Sequence, residues 1–302
     1  MKNKSLVSIG DYSLEERLRI LDLAEEFEKN PVQDILKDYV VSTLFFEPST
    51  RTRLSFESAA SRLSAKVVGF TDAASSSVKK GESLKDTILT VSNYSDIIVM
   101  RHPREGSARY ASEVAPIPLI NAGDGANQHP TQTMLDLYSI RKTQGTLDKL
   151  EVAFVGDLKY GRTVHSLVIA LCAYNTTFHL VSPVELKLPS YVKQNIKDSN
   201  LTYHQYTELE DALDKPDILY MTRIQKERFS DPIEYEKVKN AYILENKMLK
   251  KTKENMKILH PLPRVNEIKE DVDNNPKAYY FQQALNGVYV RQALLTSILG
   301  VK

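Results

Sequence analysis

Cysteine is nearly absent from this chain. The single one among 302 residues, Cys172, excludes an internal disulfide and any metal site built from several cysteines. It lies in the apolar stretch 167–173, which favours inert core packing over a reactive thiol. An excess of either charge is also missing. Forty basic residues against 39 acidic ones leave a net charge of +1. That gives no reason to expect nucleic acid or an anionic membrane as partner, and any anion site must be local. No run approaches the roughly 20 apolar residues of a membrane span. The basic start Met1-Lys2-Asn3-Lys4-Ser5 is not followed by an apolar stretch, so no signal peptide is expected. Six scattered histidines lack the His/Cys/Asp spacing of a metal centre, so neither metal nor cofactor is expected. There is no internal repeat, and no low-complexity tract beyond Ser75-Ser76-Ser77. What remains is 42% apolar and 26% charged, the balance of a soluble globular protein with room for two ordinary domains. A cytoplasmic enzyme or binding protein is the default.

Ser13-Leu14-Glu15-Glu16 fits a capping box, with a serine cap and a glutamate three residues later. Leu14, Leu18, Leu21 and Phe27 follow at helical spacing and predict an amphipathic helix over 13–29. Short apolar runs at 40–46, 66–70, 96–100 and 117–121 then read as strands. Segments 51–63, 83–93, 106–114 and 130–143 read as helices between or after them. Such alternation implies parallel strands with helices on both faces. Gln144-Gly145-Thr146 breaks the pattern. A second series starts at Leu150, with strands near 150–156, 176–181, 201–206, 217–221 and 257–259 and a final apolar helix near 283–299. The expected fold is α/β: two doubly wound parallel-sheet domains, 1–144 and 145–282, joined by interdomain helices.

The most telling segment is Phe45-Phe46-Glu47-Pro48-Ser49-Thr50-Arg51-Thr52-Arg53. An apolar strand end turns at a proline into a helix start rich in hydroxyls and guanidinium groups. The first N–H groups of a helix lack internal partners and carry partial positive charge, so this end suits phosphate or a similar dianion. A capped surface helix would explain a lone Ser-Thr pair. Two arginines alternating with hydroxyls beside a core ask for a ligand, because unpaired charge there is costly. Arg101 just follows a strand, where ligand groups gather in parallel sheets, although a surface charge would look the same. His129, ahead of Pro130, sits at a helix start, where the dipole favours neutral imidazole. A neutral ring can donate one hydrogen bond to a polarised carbonyl oxygen.

Val155-Gly156-Asp157-Leu158-Lys159-Tyr160-Gly161-Arg162 reads as strand, turn and helix. It lacks the G-x-G-x-x-G spacing, which argues against NAD, and Arg162 would read an anion at the new helix start. Arg223 and Gln225, two apart after an apolar strand, lie on one side of an extended segment and suit a carboxylate. A solvated charge run is the plainer reading for 226–228. In His260-Pro261-Leu262-Pro263-Arg264 two prolines cannot donate, which leaves local carbonyls as acceptors.

These blocks resemble, in order and across most of the chain, the aspartate and ornithine carbamoyltransferase family. The fit is to catalytic chains of the aspartate branch. The ornithine branch usually carries cysteine where Pro261 stands, and Arg162 with Arg223 suits a dicarboxylic amino acid. The resemblance implies that Ser49, Thr50, Arg51, Thr52 and Arg101 hold the phosphate of carbamoyl phosphate, helped by Ser76 and Lys80 from a neighbouring subunit. Val78, where relatives often have a smaller residue, would alter that loop. Thr52, Arg101 and His129 would polarise the carbonyl. Gln132 and the carbonyls of Pro261 and Leu262 would hold the carbamoyl nitrogen, with the Leu262–Pro263 peptide cis. Arg162, Arg223, Gln225 and Lys80 would bind aspartate, and Glu47 would pair with Arg162 and Arg228 on domain closure. The resemblance also implies that the last helix, 283–302, packs back onto the carbamoyl-phosphate domain. It implies a homotrimer with shared sites, leaves room for a regulatory chain, and points to an early step of pyrimidine biosynthesis. Two alternatives remain: a carbamoyltransferase for ornithine or a related amine, and a non-catalytic ligand-binding relative.

Overall fold

Every ladder between the strands named below is parallel. The computed structural model describes residues 1–72, 81–225, 229 and 231–302. Ser76, Lys80 and Arg228 lie outside the described residues. Two compact units divide the chain, Met1–Tyr138 with Ala284–Lys302, and Ser139–Gln283.

The first unit opens with α1 (Leu14–Lys29), which buries Ile20, Leu21, Leu23, Ala24 and Phe27. Its capping box is formed: the Ser13 hydroxyl accepts the Glu16 N–H and the Glu16 carboxylate accepts the Ser13 N–H. There follow β1 (Val40–Phe45), α2 (Thr50–Arg62), β2 (Lys66–Phe70), α3 (Leu84–Ser92), β3 (Ile97–His102), α4 (Ser107–Val114), β4 (Leu119–Asp124) and α5 (Pro130–Gln144). The sheet order is β2-β1-β3-β4. Successive side chains alternate across a sheet. One face thus brings Leu44, Phe46, Ile98, Met100 and Leu119 against Ile88 of α3 and Ala108 and Ala111 of α4. β3 runs two residues past its expected end. Arg101 pairs with Phe45 of β1 and His102 with Asp124 of β4, across a register shift. The polar residues that close this strand are half-buried at its carboxyl end rather than in the core.

The second unit contains β5 (Glu151–Val155), α6 (Arg162–Leu171), β6 (Thr177–Val181), α7 (Ser190–Asp198), β7 (Tyr203–Tyr206), β8 (Ile218–Met221), α8 (Pro232–Val238) and β9 (Lys257–Leu259). The sheet order is β7-β6-β5-β8-β9. The last helix, α9 (Tyr280–Leu299), begins here and belongs to the first unit from Ala284 onward. α5 crosses the division in the other direction. Ala153, Val155, Val181, Leu219, Met221 and Ile258 form the centre of this unit's core. Gly156 ends β5 at φ +118°, and a Cβ there would lie 2.3 Å from the Thr222 carbonyl oxygen. Only glycine lets the two strand ends approach this closely. Cys172 is half-buried at the end of α6 rather than in the core. Burial still pushes its thiol up to about 11, so it stays protonated. Among the described residues no helix is long and apolar enough to cross a membrane.

Candidate active site

In an open parallel sheet, ligand groups gather beyond the carboxyl ends of the strands, beside the place where strand order reverses. In the first unit that place is the β1/β3 pair, with β4 next to it. The expected residues follow these three strands. Ser49 precedes α2 and Thr50, Arg51 and Thr52 form its first turn; Arg101 lies in the last pair of β3; His129 and Gln132 begin α5.

The first turn of α2 carries no acidic side chain, and the Ser49 hydroxyl makes no capping bond. The turn therefore keeps its positive end. Thr50 and Arg51 are exposed and Thr52 is buried. Arg53, two residues on, points elsewhere. It pairs with Glu57 at 3.6 Å along the helix and lines a cavity of about 350 Å³ with Thr43 and Val68. Arg101 is fixed from two sides: one terminal nitrogen lies 3.1 Å from the Glu47 carboxylate, the other donates to the Ala122 carbonyl at 3.3 Å. Glu47 is thus engaged by Arg101 within its own unit.

The loop between β4 and α5 is organised by Asp124, whose role the sequence reading missed. This buried carboxylate accepts from the Asn121 and Asn127 side-chain amides and from the N–H groups of Gly106 and Gln128, at 2.9–3.1 Å. The only hint in sequence was an aspartate between two glycines. His129 follows, and its carbonyl accepts the N–H groups of Gln132 and Thr133, so the residue caps α5. Its ring is almost fully buried, and so is Gln132.

In the second unit, strand order reverses at β5/β8, with β9 beyond. Arg162, Arg223, Gln225, Pro261 and Leu262 follow these three strands and are each half-buried. Asp157 joins two of the loops. Burial raises its carboxyl, while the N–H groups of Tyr160, Gln225 and Lys159 act against that rise. Gln225 also donates its side-chain amide to the Tyr160 carbonyl at 3.4 Å. His165, inside α6, holds the same loop: its Nε2 lies 2.8 Å from the Leu158 carbonyl and its Nδ1 3.0 Å from the Tyr191 hydroxyl. A carbonyl only accepts, so Nε2 carries the proton and Nδ1 accepts.

The turn after β9 is built on His260. Its Nδ1 accepts the Leu262 N–H at 2.8 Å, and its Nε2–H donates to Glu267 at 2.7 Å. The other Glu267 oxygen accepts the N–H groups of Val265 and Asn266. Burial lowers the His260 pKa, and the charge of Arg223 pushes the same way. Burial would raise Glu267, but its hydrogen bonds bring it below the usual carboxylate range. The pair is therefore neutral imidazole beside carboxylate. Leu262–Pro263 is cis, as the resemblance implied. Beyond it, Arg264 is held by both oxygens of Asp273, which also accepts the Tyr280 hydroxyl. Among the described residues, no group of three or more His, Cys, Asp or Glu could hold a metal ion.

Both halves of the chain match known proteins. The carbamoyl-P binding domain of the aspartate/ornithine carbamoyltransferases matches residues 4–142, and the Asp/Orn binding domain matches residues 148–298. The aspartate carbamoyltransferase catalytic subunit of Phocaeicola vulgatus is 63% identical over 302 residues, covering 100% of this chain and 96% of the relative. That of Bacteroides thetaiotaomicron is also 63% identical, with the same coverage. Among solved structures, the catalytic subunit of M. jannaschii aspartate transcarbamoylase superposes with a TM-score of 0.92 at 51% identity, over 98% of each chain. Trypanosoma cruzi aspartate transcarbamoylase, in complex with carbamoyl phosphate and aspartate, gives a TM-score of 0.94 at 38% identity, over 99% of this chain and 97% of that one. With both domain families matched in order over 4–142 and 148–298, the chain belongs to the aspartate/ornithine carbamoyltransferase family.

Proposed function

We propose that this chain transfers the carbamoyl group of carbamoyl phosphate to the amine of L-aspartate, giving N-carbamoyl-L-aspartate and phosphate. The observation that carries the reading is 63% identity, over all 302 residues, to catalytic subunits of aspartate carbamoyltransferase. The solved T. cruzi relative with carbamoyl phosphate and aspartate supports the same pair of substrates. Pro261, in place of the cysteine usual in the ornithine branch, supports the same acceptor.

The neutral amine attacks the carbonyl carbon, a C–N bond forms, and the tetrahedral intermediate breaks its C–O bond to phosphate. The departing phosphate takes the proton of the amine. No covalent enzyme intermediate is needed, because positioning and charge stabilisation lower the barrier. Ser49, Thr50, Arg51, Thr52 and Arg101 hold the phosphate. Thr52, Arg101 and His129 donate to the carbonyl oxygen as it gains charge. Gln132 and the carbonyls of Pro261 and Leu262 accept from the carbamoyl amino group. Arg162, Arg223 and Gln225 take the aspartate carboxylates. Residues 1–144 form the carbamoyl-phosphate domain and 145–282 the aspartate domain. Ser76 and Lys80 complete the site of a neighbouring copy, which makes a ring of three the active form. Glu47 passes to Arg162 and Arg228 when substrates close the site. The reaction serves pyrimidine biosynthesis in the cytoplasm.

The test is to incubate the purified chain with carbamoyl phosphate and either L-aspartate or L-ornithine and to measure the carbamoylated product. Product with aspartate alone is expected. Product with ornithine alone would overturn the assignment of Arg162 and Arg223. Product with neither would favour a non-catalytic relative.

A further inference from the structure

Gln132 and Asp136 stand one turn apart on α5. Gln132 is 9% exposed and Asp136 is fully buried. The Gln132 side-chain N–H donates to Asp136 Oδ1 at 2.8 Å. On its own, a glutamine amide can present either its oxygen or its NH2 group to a ligand. An ionised carboxylate accepts only, so it takes the NH2 edge and turns the oxygen to the opposite side. We infer that Asp136 is a positioning residue for carbamoyl transfer, which fixes the Gln132 amide so that its oxygen, not its nitrogen, meets the carbamoyl amino group. The inference rests on the assignment of Gln132 to that amino group.

The carbamoyl amino group requires such an acceptor. Its nitrogen lone pair is delocalised into the carbonyl, so it offers two N–H donors and accepts nothing. A reversed glutamine would set donor against donor.

The buried Asp136 carboxylate has a buried cation in its field. Arg291, on α9, is 3% exposed. Burial lowers its guanidinium to about 10, and the Asp136 carboxylate acts against that fall. It therefore stays charged at neutral pH. Arg291 also donates to the Ser55 hydroxyl at 3.0 Å and lies 4.9 Å from the Phe56 ring centroid. Ser55 and Phe56 sit on α2, one turn after Thr52. One buried guanidinium is thus held by the phosphate-facing helix and feels the charge of the carboxylate that orients Gln132.

The experiment compares carbamoyl phosphate with acetyl phosphate, which places a methyl group where the amino group stands. Carbamoyl phosphate is read as KM, and acetyl phosphate and inorganic phosphate as competing ligands, in the intact enzyme. Asp136→Leu should raise the KM for carbamoyl phosphate about tenfold, the range of one lost hydrogen bond. It should leave acetyl phosphate and phosphate within about twofold. Asp136→Asn keeps an acceptor oxygen and should retain most of the preference. Asp136→Leu removes the negative charge that offsets the buried Arg291 guanidinium, so the double variant Asp136→Leu/Arg291→Met, which removes both charges, should fold and show the same selective loss. Equal weakening of all three ligands would overturn the inference in favour of a merely structural Asp136. Gln132→Ala separates the two levels. If it abolishes the preference while both leucine variants keep it, Asp136 does not position Gln132. If it leaves the preference intact, the assignment of Gln132 falls as well.

Discussion

In the first unit the loop after β4 hangs on Asp124, a buried carboxylate surrounded by four donors. In the second, the loop after β5 leans on His165 and the turn after β9 on His260, each with one ring nitrogen donating and the other accepting. A carboxylate acts by accepting from each N–H group around it. An imidazole that bridges a donor and an acceptor works only while neutral. The second unit therefore presents its strand-end residues from loops that acid disrupts by protonating an imidazole.

The largest effects should come from the side chains that these loops present. Arg101→Ala should lower kcat by ~10²–10³, the usual cost of one transition-state donor. Arg223→Ala should chiefly raise the KM for L-aspartate and leave the binding of carbamoyl phosphate in place. Steady-state kinetics with each substrate varied would separate the two. If Arg223→Ala weakened carbamoyl phosphate and not aspartate, the division of labour between the units would be wrong.

Next in size are the loop anchors. Asp124→Asn keeps one acceptor oxygen but turns an NH2 group toward donors. It should cost about 1–3 kcal/mol, the penalty for unsatisfied buried groups. Glu267→Gln sets the same conflict against the N–H groups of Val265 and Asn266 and should cost a similar amount. Urea titration of each variant measures this directly. A midpoint unchanged in either would mean that water replaces the lost acceptor and that the anchor is dispensable.

These anchors mark the limit of what the chain discloses by inspection. β1, β5, β8 and β9 were legible to within a residue or two, because strands buried on both faces are continuous apolar runs; β2 was legible as well, from its paired valines, although it is partly exposed. β4 was read as ending at Asn121 and runs on to Asp124, since its last residues are polar or glycine and pair through their backbone. Two short helices, α7 and α8, were not read at all. The arginines and His129 were legible because they cluster with hydroxyls, glycines and prolines at strand ends. Asp124, Asp136, Asp157 and Glu267 were not. Each acts on donors chosen by the fold, and one acidic residue among 39 carries no mark of the N–H groups it will meet.

The acid response gives a third contrast. Burial lowers the pKa of His165, His179 and His260 in the second unit, and of His102 in the first. The folded value lies below the unfolded one, which is 6.5. Unfolding therefore takes up protons in acid. The stabilisation is complete above about 6.5 and is lost progressively as pH falls below it. Glu267 adds to the loss further down, below its own unfolded value of 4.5. Amide exchange at pH 7.5 and 5.5 should show protection falling more in 139–283 than in 1–138. An even loss across both units would erase the contrast.

The smallest effect should come from Arg53, which lies within the most telling run of the sequence. Composition alone gives it the same claim on an anion as Arg51. Two residues along a helix is a rotation of about 200°, so Arg51 and Arg53 cannot share a face. Arg53 pairs instead with Glu57, one turn on, and both side chains are 30% exposed. Pairs of this spacing contribute only about 0.3–0.5 kcal/mol. Arg53→Ala should thus shift the urea midpoint by that small amount and leave the KM for carbamoyl phosphate unchanged, whereas Arg51→Ala should raise it. A rise in KM from Arg53→Ala as large as that from Arg51→Ala would show that the anion reaches past the first turn of α2, and that the carboxyl edge of the first sheet is not where its recognition ends.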